Sequence, residues 1–209
     1  QGVREEDLKS EIIAWLGERR KVGLGTPHWP KEWGGPGLPF TYQIMVYEEL
    51  SRADAPELDM FTISLFHTPA TLFEHGTQEQ KDRYLQGITH GTDIWCQGFS
   101  EPGAGSDLAS LRTSARREGD HYVLKGQKIW SSGAMNAQYC LLLARTDSSG
   151  KRKHDGISYF ILDMKTPGVE VRPIRQITGE SEFAEIFMDD VKVPVENLIG
   201  AEGNGWNIA

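Results

Sequence analysis

The sequence predicts an α+β fold, with an N-terminal α-helical domain over residues 1–91 followed by an antiparallel β-barrel domain over residues 92–199. Three observations carry this. Apolar residues recur at helical spacing through the first part of the chain. After Gly91 the pattern changes to short apolar or alternating runs of strand length. Turn residues separate those runs at Glu118-Gly-Asp120, Ser148-Ser-Gly150 and Thr166-Pro-Gly168. Residues 200–209 are expected to be a loop and the first turn of a further helical domain that is cut off.

From Glu5 to Lys21, Leu8, Ile12, Ile13, Trp15 and Leu16 fall on helical spacing. The stretch from Gly23 to Pro39 is rich in Gly, Pro and Trp and reads as an ordered loop. Thr41 has the chemistry of an N-cap, and Ile44, Met45, Tyr47, Glu48 and Leu50 carry a second helix. A third helix is expected from about Leu58 to His75, apolar nearly all round and therefore buried against others. Thr77-Gln-Glu-Gln80 matches a capping box and opens a fourth helix ending near Gly91. Strands are expected at Ile94–Phe99, His121–Leu124, Gln138–Arg145, Ser158–Asp163, Val169–Val171, Ala184–Met188 and Val191–Val193.

The net charge of −8 argues against a general nucleic-acid binder, which needs a cationic footprint. No run of 18 apolar residues is present, so no membrane span is expected. Cys96 and Cys140 both sit in apolar strand-like runs, where buried free thiols are expected and a disulfide or metal site is not. The chain opens on Gln1 without a methionine. A cytoplasmic location is expected, or an organellar matrix if a targeting segment was removed.

The segment Trp95-Cys-Gln-Gly-Phe-Ser-Glu-Pro-Gly-Ala-Gly-Ser-Asp107 combines a strand end with a glycine-bearing loop. Such glycines let backbone N–H groups approach a flat or anionic ligand, and Ser100 and Ser106 add hydroxyls. Spacing alone also allows a plain tight turn. In Gly126-Gln-Lys-Ile-Trp-Ser-Ser-Gly133, a tryptophan at a strand end precedes two hydroxyls. That arrangement suits stacking on an aromatic cofactor, or equally a core tryptophan.

Taken together and in this order, these segments resemble the acyl-CoA dehydrogenase family, as do Trp29-Pro-Lys-Glu-Trp-Gly-Gly35, Glu48-Glu-Leu-Ser-Arg52, Gly76-Thr-Gln-Glu-Gln-Lys81 and Val193-Pro-Val-Glu-Asn-Leu-Ile-Gly200. The resemblance covers essentially the whole chain. It implies a flavoprotein oxidoreductase of fatty acid β-oxidation that removes hydrogen across Cα and Cβ of an acyl-CoA, with hydride passing to N5 of FAD. It also implies flavin contacts from Gln97, Gly98, Phe99, Ser100, Gly105, Ser106, Trp130, Ser131 and Ser132, with Ser106 also touching the thioester part of the substrate. Gln97 departs from the family, many members of which carry an aromatic residue there.

In that family the base that removes the Cα proton is usually a glutamate of the C-terminal helical domain, so the catalytic base is expected beyond Ala209 and no catalytic residue is assigned within the chain. Glu101 reads as structural, Asp189-Asp190 as a solvated turn between strands, and Arg112, Arg116 and Arg117 as a solvated strand face. His67 and His75, eight apart on one apolar helix, lack a third ligand for a metal. Expected partners are the acyl-CoA substrate, an electron-transferring flavoprotein or similar acceptor, and further copies of the chain in a homo-oligomer. Two other readings stand beside this one: an oxygen-using acyl-CoA oxidase or flavin monooxygenase of the same fold, and a non-catalytic interaction module that retains only the barrel scaffold.

Overall fold

The computed structural model describes residues 5–209, with side chains from Lys9 onward, so the side chain of Leu8 lies outside the described residues. Helices α1 (Glu5–Lys21), α2 (Phe40–Arg52), α3 (Thr68–His75) and α4 (Gln78–His90) come first, and α5 (Gly205–Ile208) closes the chain. Between α4 and α5 lie β1 (Trp95–Gly98), β2 (Ser114–Glu118), β3 (His121–Ser132), β4 (Tyr139–Arg145), β5 (Ile157–Asp163), β6 (Val169–Ile174), β7 (Phe183–Pro194) and β8 (Leu198–Ile199).

Local signals set several of these limits. Thr77 accepts from the Gln80 N–H at 3.2 Å while the Gln80 side chain accepts from the Thr77 N–H, completing the capping box of α4. Gly91 ends that helix at φ 70°, in the left-handed region. Thr41 is not a cap: α2 begins one residue earlier, after Pro39, and no side chain caps it. Ile44 and Met45 are exposed, and the residue α2 buries is Gln43, bonded to His28 Nδ1 at 2.9 Å. The third helix is also not continuous. A 3₁₀ turn at Asp59–Phe61 and a π-helical turn at Ile63–His67 precede α3. Pro69 accounts for the break, because it has no N–H to return to Leu65 and the wider turn absorbs the missing bond.

The strands form one eight-stranded sheet in the order β6-β7-β3-β2-β4-β5-β8, with β1 paired to β4. The antiparallel barrel expected from sequence is corrected in two respects. The hydrogen-bonded path does not close into a ring, and the β1–β4 and β2–β4 pairings are parallel. Local alternation carries no information about strand direction or closure, which depend on distant partners. Ala184–Met188 and Val191–Val193 are one strand, and Asp189-Asp190 is a bulge within it rather than a turn. Two β7 residues there face Lys125 alone, Asp190 has φ 51°, and Lys125 Nζ meets Asp189 Oδ1 at 2.8 Å.

Strands β4 and β5 are buried on both faces, as near-continuous apolar runs require. Cys140, Leu142, Ala144, Phe160 and Leu162 join Tyr122, Leu124, Ile186 and Val191 in one core. Leu141, Leu143, Ile157, Tyr159 and Ile161 face the other way and pack with Leu16, Phe61, Leu72, Leu85 and Ile88 of the helical part. Trp95 lies in this second core with its ring 5.3 Å from Tyr84 and 5.0 Å from Tyr139. Cys96 and Cys140 are free, buried and paired in register across β1 and β4. A hydrogen bond with Cys140, reinforced by burial, pushes the Cys96 thiol well above its usual range. Among the described residues no helix is long and apolar enough to cross a membrane, and no three metal-ligating side chains converge.

Candidate functional site

β1 runs out at Gly98 into the loop that the sequence singles out. Gly98 is buried against β4, and a Cβ there would stand 2.7 Å from Leu142 Cδ1 and 2.9 Å from Cys140 Sγ, so the strand passes where only glycine fits. Gln97, beside it, is half-buried and meets His67 Nδ1 at 3.2 Å. The Phe99 ring packs on Tyr159 at 5.7 Å. Glu101 and Ala104 then exchange backbone hydrogen bonds of 2.9 and 3.0 Å, closing a tight turn that holds Gly103 on its exposed side. A Cβ at Gly103 or Gly105 would meet nothing within 4 Å, so this backbone is open to an approaching ligand. Ser106 follows, exposed. Asp107 beside it is anchored to Lys153 Nζ at 2.7 Å and Ser110 Oγ at 2.6 Å.

The second segment lies alongside the first. Ile129 N donates to Ser100 O at 2.9 Å. Inward positions of β3 fall on even numbers through Tyr122, Leu124 and Lys128, and then the phase flips. Between Lys128 and Ser131 the register with β7 shifts, because Ile129 and Trp130 together face the single residue Glu185. This bulge turns Ser131 inward and Trp130 outward. Trp130 sits at φ 61°, is 58% exposed, and makes an edge contact with Phe183 at 6.1 Å. A large aromatic in the left-handed region is strained, and its ring faces solvent rather than the core. The Ser131 hydroxyl is buried without a partner, while Ser132 is exposed.

Sequence reading did not weigh Lys128, although a lysine on the inward face of an alternating strand was visible. Lys128 is fully buried, and its Nζ donates to Phe99 O at 3.0 Å and Glu101 Oε1 at 2.9 Å. Glu101 also accepts from Arg112 N at 2.6 Å and Thr113 N at 2.8 Å. Burial alone would push the Glu101 carboxyl up, but the Lys128 charge and the N–H donors outweigh it and hold the group below its ordinary range. Burial pushes the Lys128 ammonium down against the pull of the same carboxylate. The two groups stand 2.9 Å apart, close enough for a charge-assisted hydrogen bond. Glu101 is therefore structural, with both oxygens already engaged.

The carboxyl of Glu101 sits lower in the folded chain than its ordinary 4.5, so its contribution is present above about pH 4.5 and is lost as pH falls toward the folded value. Glu101→Gln is thus expected to lower the melting temperature near neutrality, by an amount below the about 3–5 kcal/mol of a fully broken buried pair. The gap to the parent chain should narrow in acid. Thermal melts between about pH 3 and pH 7 read this, and a gap constant across that range would contradict an ionised Glu101.

A cleft of about 560 Å³ lined by Phe66, His67, Ala70, Thr71, Glu74, His75 and Ile208 borders Gln97 through its contact with His67. A smaller groove of about 360 Å³ runs past Glu101, Gly103, Arg112, Thr113 and Gly126. Arg116 pairs with Glu118 on an exposed strand face. His67 and His75 both line the larger cleft, but on different helical elements.

A family model described as the acyl-CoA dehydrogenase N-terminal domain matches residues 3–92, and one described as the middle domain matches residues 96–191. The chain is 44% identical over 207 residues to the acyl-CoA dehydrogenase IpdE1 of Mycobacterium tuberculosis, covering 99% of this chain and 53% of that protein. It is 46% identical over 215 residues to the acyl-CoA dehydrogenase FadE34 of the same organism, covering 100% of this chain and 30% of that protein. The crystal structure of the ChsE4–ChsE5 complex from Mycobacterium tuberculosis superposes with a TM-score of 0.84 at 36% identity, over 97% of this chain and 52% of that one. The chain thus spans about half the length, or less, of these relatives.

Proposed function

The chain belongs to the acyl-CoA dehydrogenase family, and from that premise we propose that it supplies the helical and sheet walls of a site for FAD and an acyl-CoA thioester, in an enzyme that dehydrogenates the acyl group between Cα and Cβ. One observation carries the reading. Two ligand-ready segments, 97–106 and 130–132, are fastened side by side by the 2.9 Å bond from Ile129 N to Ser100 O, and an aromatic ring with no core role projects beside them.

The residues present fit a flavin. Trp130 offers a flat exposed face, Gly103 and Gly105 leave room for close backbone approach, and Ser131 holds a buried hydroxyl without a partner. Gln97, Gly98, Phe99 and Ser100 would line the ring, with Gly105, Ser106 and Trp130 to Ser132 completing the contacts. When bound, FAD supplies the acceptor for the hydride leaving Cβ. The part of Trp130 is orientation by stacking. The Ser100 and Ser132 hydroxyls present donors to the polar edge of the ring, and fixed donors of this kind stabilise negative charge as it develops there. Ser106, exposed at the end of the loop, would meet the thioester. Removal of the Cα proton needs a base within hydrogen-bond reach. Glu101 does not provide it, since its oxygens are held by Lys128, Arg112 and Thr113. We assign the base to the part of the family's length that these 209 residues do not span. Reoxidation by an electron-transferring flavoprotein, assembly as a homo-oligomer and a cytoplasmic setting complete the proposal.

The test is titration of the chain with FAD, followed by flavin fluorescence and visible absorbance. Saturable binding with a perturbed spectrum is expected. Trp130→Ala should weaken it roughly 2- to 12-fold, the equivalent of the ~0.5–1.5 kcal/mol that an aromatic pair adds beyond burial. No binding, or binding indifferent to Trp130, overturns the assignment.

A further inference from the structure

We infer that the buried Lys128–Glu101 pair is a positioning element that fixes the loop 97–106 against the strand end bearing Trp130, so that the two segments meet a flavin as one rigid surface. The inference rests on the flavin reading above for its ligand, and on geometry for everything else.

Lys128 lies on β3 two residues before Trp130, just ahead of the bulge that turns that ring outward. Its ammonium reaches across to two points of the other segment, the carbonyl of Phe99 at 3.0 Å and the carboxylate of Glu101 at 2.9 Å. Those points flank Ser100, whose carbonyl takes the Ile129 N–H. Glu101 carries the tie further, because Arg112 N and Thr113 N bind its two oxygens and fasten the chain leaving the loop. One carboxylate and one ammonium therefore connect the start of the loop, its exit and the strand behind it. A sheet needs no such device. Of the other inward positions of β3, Leu124 is held by packing and Tyr122 by packing and a hydroxyl bond to Glu202 Oε2 at 2.5 Å, and neither reaches the loop 97–106. A lysine that is fully buried is costly unless paired and hydrogen-bonded, and replacing a buried ion pair with uncharged groups of similar volume is often neutral for stability. Stability is thus a poor reason for placing one here, and the position of the loop relative to Trp130 is a better one.

The experiment compares the parent chain with Glu101→Gln and with the double replacement Lys128→Met/Glu101→Gln, which removes both charges and strands neither. Three readouts are taken: the thermal midpoint, amide hydrogen exchange over residues 97–106, and FAD affinity with the flavin spectrum. The expected result is a double variant that melts close to the parent, exchanges faster within 97–106 than elsewhere in the sheet, and binds FAD at least about tenfold more weakly, as a displaced positioning contact implies. Unchanged exchange over 97–106 overturns the inference. So does protection lost evenly through β3, β4 and β5, which would make the pair a support of the sheet and not of the loop. If the double variant is too unstable to read, Glu101→Gln answers by the same exchange criterion. A parent chain that fails to bind FAD would overturn the proposed function, while exchange over 97–106 would still decide the role of the pair.

Discussion

Trp95→Ala is expected to cost about 3–5 kcal/mol of folding stability, the range for emptying a well-packed aromatic site. Trp95 is 1% exposed, and its ring forms a three-way cluster with Tyr84 of α4 and Tyr139 of β4. Its backbone N–H donates to Ser64 Oγ at 2.9 Å, which ties β1 to the π-helical turn and survives the substitution. The indole Nε1 has no partner, so truncation removes no side-chain hydrogen bond, and the loss comes from packing and the cavity left behind. For a chain of this size each kcal/mol moves the melting temperature by about 2–4 °C, giving a fall of roughly 6–20 °C. Urea unfolding and calorimetry measure it. A loss under about 1 kcal/mol would mean that the cluster can collapse around the gap.

Gly98→Val is expected to be the other severe change, at about 3 kcal/mol or somewhat more, toward the upper end of overpacking costs. Even the first carbon of a side chain at this position would intrude on Leu142 and Cys140, both fully buried. Relief requires β1 to move off β4, which shifts the loop leaving Gly98. The variant should therefore lose FAD affinity as well as stability, and its two cysteines, buried in the parent, should become open to thiol reagents. A variant that melts like the parent and keeps its thiols shielded would show that β4 can repack at no great cost.

How much of this was legible in the sequence depended on the range of the interaction. The capping box at Thr77 and the stop at Gly91 are written within a few residues, and the structure has both. The double-sided burial of β4 was visible as an apolar run without alternation. Sheet closure was not, because the parallel pairings of β4 with β1 and β2 are long-range choices that no local pattern records. β2 was hidden for a related reason: it is a polar run with Ala115 as its buried residue, and becomes a strand by pairing with β3. In the candidate site, glycine, serine and tryptophan spacing left both segments open to plain structural readings, and the resemblance to a known family was what marked them as a ligand site. The bulge that exposes Trp130 and buries Ser131 could not, since it exists only relative to the register of β7. Lys128 stood in plain view on the inward face of β3, but its meaning depended on Glu101, 27 residues away in sequence.

A wall common to two interiors also governs how the molecule comes apart. If the helices left, Leu141, Leu143, Ile157 and Ile161 would be stripped of cover, at about 6–12 kcal/mol for four aliphatic side chains before any other loss. If the far side of the sheet opened, the opposite faces of the same two strands would be stripped instead. Neither half has an inexpensive way to open alone, so partly unfolded forms lie high in free energy. The chain should pass from native to unfolded in a single step, leaving few half-open species for a protease to cut or for aggregation to recruit.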